Sequence, residues 1–212
     1  MPLIHLREIN PYSCWGLWHI TESVQELITL LDSPDFCLDF LDKISHPEKQ
    51  KESLAARLAA KYILQHWQIK YPGIQKDQFD KPSICKLPFH VSLSHALDYS
   101  IAIIHQLQPT GIDMEQVRDK ILRIAHKFLS DEEAAFTQSD LHKLTLVWVV
   151  KEAVYKLYGA KKISFSKNIR LSPFEVENEG IIQTRLILDD GSEKIYPVHY
   201  LKFKNYYLAY AF

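Results

Sequence analysis

Gly111-Ile112-Asp113-Met114-Glu115 and, about thirty-five residues further on, Trp148-Val149-Val150-Lys151-Glu152-Ala153-Val154-Tyr155-Lys156 are the two stretches that decide how this chain is read. The first opens after a turn at Pro109-Thr110-Gly111 and reads as a short strand, in which period-2 alternation sends Asp113 and Glu115 to one face. The second reads as a helix, because the apolar positions 149, 150, 153, 154 and 157 recur at helical spacing and define a core face. Leu144, Trp148 and Tyr155 make a second apolar strip on roughly the opposite side. Glu152 and Lys156 fall between the two, separated by about 40° around the axis and one turn along it. A carboxylate in so narrow a strip is at least partly buried, and a buried charge is costly unless it is paired or coordinates a cation. Two strand carboxylates, one helix carboxylate and a neighbouring lysine therefore point to Mg2+ and a phosphate.

The order and spacing of these segments resemble the 4'-phosphopantetheinyl transferases, whose signature is a G-[IV]-D-x-E strand followed by a W-x-x-K-E-[AS]-x-x-K helix. Both motifs stand here without substitution, and the likeness is best between Phe79 and Gly159. The resemblance implies transfer of the phosphopantetheine arm of coenzyme A to a serine of an apo acyl or peptidyl carrier protein, with release of 3',5'-ADP. Such a transfer needs charge neutralisation on a pyrophosphate and a deprotonated hydroxyl. Mg2+ favours hard oxygen ligands, so Asp113 and Glu152 are the expected metal ligands, with Glu115 third, directly or through a water. Lys156 resembles the lysine that contacts the transferred phosphate, and Lys151 is secondary to it. The serine proton has three possible acceptors: Glu152, a metal-bound water, or Lys156 in its neutral form.

The fold class expected from the same resemblance is α+β. The larger class of these transferases is similar to two copies of one α+β unit about a pseudo-two-fold axis, with coenzyme A in the cleft between them. The smaller class has a single copy and assembles into trimers. A chain of 212 residues fits the larger class and a monomer, with an N-terminal half, residues 1–107, for coenzyme A and a C-terminal half, residues 108–212, for the metal motifs.

The residues themselves carry a hint of duplication. Ser45-His46-Pro47-Glu48 and Ser130-Asp131-Glu132-Glu133 both fit the S-x-x-E capping box that starts a helix. An Ala-rich helix continues from the first to Trp67, and the Trp148 helix follows the second, with Gly159 placed to cap its end. Strand-like sequence succeeds each: 90–94 and 100–104 in the first half, 181–188, 193–201 and 206–212 in the second. Coincidence between two short caps is the competing reading.

In the first half, Phe89-His90-Val91-Ser92-Leu93-Ser94-His95-Ala96 resembles the family's [FN]-x-S-x-S-H-S strand, which assigns Ser94 and His95 to a coenzyme A phosphate; Ala96 departs from the usual serine. Phe79-Asp80-Lys81-Pro82 matches a G-K-P turn except at Asp80, and places Lys81 near the adenine. If that turn needs positive φ, Asp tolerates it better than most residues. His46-Pro47-Glu48-Lys49 resembles the segment whose lysine meets the 3'-phosphate, and Arg57 stands where many members place an arginine. For Lys49, Lys51 and Arg57 a solvated helix face competes with these roles.

Composition sets outer bounds. At 47% hydrophobic the chain can bury a core without disulfide or structural metal. A net charge of -1 argues against a general nucleic-acid surface, so any basic site is local. Cys14, Cys37 and Cys85 have no C-x-x-C spacing and read as reduced thiols of a cytoplasmic protein. The N-terminus lacks the layout of a signal peptide, and no apolar run approaches the ~20 residues that span a bilayer. A binding module that kept the fold without catalysis is the rival from another class, but a retired site has no reason to hold three carboxylates together. An unrelated Mg2+-dependent nucleotide enzyme lacks its glycine-rich phosphate loop here.

Overall fold

The computed structural model describes residues 3–34, 38–78, 80–159 and 163–212, so Cys37 and Phe79 lie outside the described residues. The chain divides into two compact units, Met1–Thr110 and Gly111–Phe212, each an antiparallel sheet with a long helix across it.

In the first unit a hairpin, β1 (Leu3–Asn10) and β2 (Ser13–His19), is followed by α1 (Val24–Leu31), a 3-10 turn at Leu41–Lys43, α2 (Pro47–His66), β3 (Ile74–Lys76), β4 (Pro82–Ile84), β5 (His90–Ala96) and β6 (Tyr99–His105). In the second, β7 (Gly111–Gln116) leads to α3 (Lys120–Phe128), α4 (Asp131–Thr137), α5 (Leu141–Tyr158), α6 (Phe165–Asn168), β8 (Ile169–Leu171), β9 (Glu179–Ile187), β10 (Glu193–Phe203) and β11 (Tyr206–Ala211). The sheets run β1-β2-β6-β5-β4-β3 and β7-β11-β10-β9-β8. With β1 set aside as an extra edge strand, the two orders are the same: first strand, last strand, then backwards along the chain. α2 lies on β6, β2 and β5, and α5 on β7, β11 and β10. The α+β duplication is thus present in topology.

A shared close contact fixes the correspondence between the units. A Cβ on Gly16 of β2 would meet the Ala59 carbonyl oxygen at 3.3 Å and Ile63 at 3.5 Å. One on Gly111 of β7 would stand 1.9 Å from the Ala153 carbonyl oxygen and 2.6 Å from the Leu157 nitrogen. Matching these contacts aligns Arg57 with Lys151, Trp18 with Asp113, and Tyr62 with Lys156. Where the second unit has an ion pair, the first has aromatic rings, Trp18 and Tyr62, with centroids 5.4 Å apart.

The two expected capping boxes have different outcomes. Ser130 and Glu133 form one, opening the short α4 rather than the helix of Trp148; that helix starts at Asp140, whose side chain accepts from the Lys143 N–H, and ends on left-handed Gly159. Ser45 forms none. The N-cap of α2 is His46, extended at φ -92° and ψ 118° with no side-chain cap bond. Pro47 is the reason, since its ring disfavours helical backbone in the preceding residue while its own missing N–H suits the first helical position. A capping box that was not read from the sequence forms at Ser23 and Glu26.

Lys151 departs furthest from the sequence reading. Fully buried, it donates to Glu133 at 2.5 Å and to the carbonyls of Phe128, Phe165 and Ile169 at 2.7, 2.9 and 2.7 Å. Glu133 in turn accepts from the N–H groups of Ser130 and Leu171, both at 2.9 Å. One lysine therefore closes the C-terminal carbonyl of α3, the start of α4, and the α6–β8 corner onto α5, supplying donors that a helix end lacks. Removing one member of a buried pair leaves the other uncompensated. Lys151→Ala is expected to cost about 3–5 kcal/mol, read as a shift in the urea midpoint; a loss below about 1 kcal/mol, the range of exposed pairs, would contradict this role.

Candidate active site

The G-x-D-x-E pattern has a geometric cause. Gly111, Asp113 and Glu115 share one face of β7 by strand alternation, and α5 lies across that face so closely that only a glycine fits at Gly111. Two residues on, the same approach puts Asp113 Oδ1 2.7 Å from Lys156 Nζ, which also donates to the Ile112 carbonyl at 3.1 Å. Asp113 is 6% exposed. Glu115, half-buried, takes Lys120 at 3.1 Å, Arg118 at 3.5 Å and the Gln116 N–H at 3.0 Å.

Glu152 stands one turn before Lys156 on α5. Burial pushes its carboxyl up to about 7; the charges of Asp113 and, more weakly, Glu115 add to the rise, and Lys156 opposes it. The sequence placed Glu152 in a strip between apolar faces, and both faces are covered. Val149, Val150, Ala153 and Val154 lie in the core. On the far side Trp148 meets Phe128 and Phe165, and Tyr155 meets Phe165, at centroid distances of 5.2, 5.6 and 5.4 Å.

Among the described residues no group of three His, Cys, Asp or Glu side chains is gathered closely enough to hold a metal ion. Lys156 is the cation on Asp113 here.

The first unit carries its own cluster. His95, at the end of β5, places Nδ1 2.8 Å from Glu52 Oε2, and Lys49 Nζ lies 2.6 Å from the same oxygen. Ser94 beside it is buried. Glu52 was missed by the sequence reading: a Glu in the second turn of a charged helix start looks like a solvated residue, and only the return of β5 shows what it faces. Lys51 pairs with Glu48 at 2.8 Å on the exposed side.

Arg57 lies inside the first unit rather than on a solvated helix face. It is 2% exposed, its guanidinium lies 3.6 Å from the centroid of the Phe40 ring, and it donates to Ser53. A group so enclosed is a core cation, the counterpart of Lys151. Lys81 lies in the turn between β3 and β4, where Asp80 has φ 65° and Asp77 accepts the Lys81 N–H at 3.0 Å. Lys81 and His90 line a cavity of about 160 Å³ with Pro109 and Thr110; burial and Lys81 hold His90 below its ordinary range. Cys14 is a buried thiol pushed up to about 12, mainly by burial, and neither it nor Cys85 is in a disulfide. No helix among the described residues is long and apolar enough to cross a membrane.

A strand-and-helix cluster of carboxylates and a lysine thus sits on an α+β unit. Residues 109–211 match the family model of the 4'-phosphopantetheinyl transferase superfamily. It is similar to the 4'-phosphopantetheinyl transferase gsp of Aneurinibacillus migulanus, at 24% identity over 127 residues, 57% of this chain and 53% of that protein. It is also similar to the 4'-phosphopantetheinyl transferase psf-1 of Bacillus pumilus, at 34% identity over 91 residues, 40% of this chain and 38% of that one. The chain thus spans about half or less of the length of these curated relatives.

The raised Glu152 carboxyl has a measurable consequence. The native state holds this proton up to about pH 7 and the unfolded chain releases it near 4.5, so the wild type loses stability as pH rises through that window. Glu152→Gln cannot ionise. Without divalent cation its melting temperature should exceed that of wild type by a few degrees at about pH 8, the gap closing towards pH 4. A constant gap across that range would contradict the burial-driven shift.

Proposed function

We propose that this protein transfers the 4'-phosphopantetheine moiety of coenzyme A to a serine of an apo acyl or peptidyl carrier protein, releasing 3',5'-ADP. The observation that carries the reading is the Asp113–Lys156 pair at 2.7 Å with Glu152 beside it, within the segment that matches the superfamily.

Asp113 and Glu152 would hold a Mg2+ ion, with Glu115 close by. Bound there, Mg2+ would neutralise charge on the pyrophosphate of coenzyme A and polarise the phosphorus under attack. Lys156, anchored by Asp113 and the Ile112 carbonyl, is a compact ammonium suited to the charge that develops on the transferred phosphoryl group. In the first unit His95 and Lys49 are the groups for a phosphate of coenzyme A, and Lys81 with its cavity is the group for the adenine. Two α+β units in one chain support a monomer, and thiols outside any disulfide at Cys14 and Cys85 support a cytoplasmic setting. Neither nucleic acid nor membrane belongs to this reading.

Incubation with coenzyme A, Mg2+ and apo carrier proteins of fatty-acid, polyketide and peptide synthesis should add one phosphopantetheine group to at least one of them, by intact mass. Omitting divalent cation should abolish the addition. Asp113→Asn and Glu152→Gln should each lower turnover by about 10²-fold or more, because charge stabilisation acts mainly in the transition state. No addition to any carrier would overturn the proposal, and near-normal turnover of either variant would overturn the metal assignment.

A further inference from the structure

His105 closes β6 and is 2% exposed. Its Nδ1 accepts from the backbone N–H groups of Leu107 and Gln108, at 3.1 and 3.2 Å. Two donors share one ring nitrogen, which must be unprotonated to receive them. Packing adds little hold on these two residues, since Leu107 is 65% exposed and Gln108 is exposed as well. The same turn runs on to Pro109 and Thr110, which line the cavity of about 160 Å³ together with Asp77, Lys81 and His90. A single ring nitrogen thus fixes the segment that supplies one wall of that cavity. Pro82, Phe89 and Pro109 give it apolar sides for a planar base, and Lys81 and His90 stand ready for a polar edge.

The surroundings of His105 disfavour a proton on Nδ1. Across the ladder it faces uncharged Ser13 of β2 on one side and His90 of β5 on the other. Burial, and after it His90, hold His105 below its ordinary 6.5, while burial and Lys81 do the same to His90. The ionisable groups near it in this unit are therefore His90 and, at the cavity, Lys81 and Asp77. The turn itself, Gln106 to Thr110, carries no charge. Proton uptake at Nδ1 would turn the acceptor into a third donor facing two N–H groups, and a turn that has lost its acceptor must let go.

We propose that His105 is a positioning residue: while its Nδ1 is unprotonated it holds the turn so that Pro109 and Thr110 wall the Lys81 cavity for the adenine of coenzyme A, and proton uptake releases that wall. The inference rests on the reading of this cavity as the adenine site. Its test separates the two, using the whole chain throughout. Asn brings an amide oxygen to the neighbourhood of Nδ1 and does not titrate, whereas Phe keeps a ring and lacks the acceptor. By NMR, the Leu107 and Gln108 amide signals should move together in wild type as pH falls from about 7.5 to about 5, and stay in place in His105→Asn. In calorimetric titration with 3',5'-ADP at about pH 7.5, Lys81→Ala and His105→Phe should each bind roughly fivefold more weakly than wild type, the scale of one hydrogen bond, and His105→Asn within about twofold of it. At about pH 5 wild type should lose a similar factor relative to His105→Asn, a comparison in which titration of the ligand's own phosphates cancels. Amide signals that move alike in both proteins, His105→Phe binding as tightly as wild type, or a ratio of wild-type to His105→Asn affinity that is constant with pH would overturn the positioning role while leaving the cavity its ligand. Undiminished binding by Lys81→Ala would overturn the cavity as the adenine site, and the inference with it.

Discussion

The second unit depends on how closely α5 passes over β7. At Gly111 the Ala153 carbonyl occupies the place where any side chain would begin, and this approach lets a short Asp113 reach Lys156 one turn along the helix. A strand held farther off would need a longer carboxylate, with more rotamers to fix and a wetter gap. Burial of Glu152 follows from the same contact, because the carboxyl is caught where sheet and helix meet, and its raised pKa is the electrostatic record of that enclosure. Packing and electrostatics are here one constraint. The motif's glycine sets the distance at which its carboxylates act.

The first unit repeats this framework with other occupants. Gly16 and Ala59 make the same strand–helix approach at a gentler distance, yet the positions matching Asp113 and Lys156 are Trp18 and Tyr62. Apolar rings fill the space without requiring a cation, so the first unit uses the approach for packing, and its polar cluster sits instead at the far end of β5. The matching buried cations, Arg57 and Lys151, are kept in both units but solved differently. Arg57 spreads its charge over the Phe40 ring and Ser53, whereas Lys151 gathers a carboxylate and three carbonyls. A delocalised guanidinium tolerates an aromatic face, and a compact ammonium needs oxygen on every side.

What was legible in the sequence was the chemistry whose partners lie one strand or one helix turn away. The strand of Asp113, the helix of Glu152, the cap at Gly159, the two strands β5 and β6 and the three strands β9, β10 and β11 all follow from local period and turn residues. What was hidden depended on distant chain. Ser45 satisfied a capping pattern that Pro47 overruled. Lys151 read as a bystander because its partners, Glu133, Phe165 and Ile169, come from three other elements. Arg57 and Glu52 lie five residues apart in one helix, and no periodicity says that the first faces a ring and the second a histidine. The hairpin of β1 and β2 escaped for a plainer reason: β2 is buried along nearly its whole length and so lacks the alternation by which strands are recognised.

On the proposed reading a near-neutral chain holds a polyanion, and it must then expose cations without binding anions indiscriminately. Several of its cations are tied to a carboxylate: Lys156 to Asp113, Lys120 and Arg118 to Glu115, and His95 and Lys49 to Glu52. Such pairing lowers the field felt at a distance, where screening already limits it to about 10 Å, but fixes the head groups so that little rotamer freedom is lost when a ligand arrives. The carboxylates differ in their surroundings. Glu52 Oε2 receives both Lys49 and His95. Asp113 takes Lys156, and the Glu152 carboxyl near them is pushed up to about 7, mainly by burial. On the proposed reading the first cluster would meet a phosphate and the second a divalent cation.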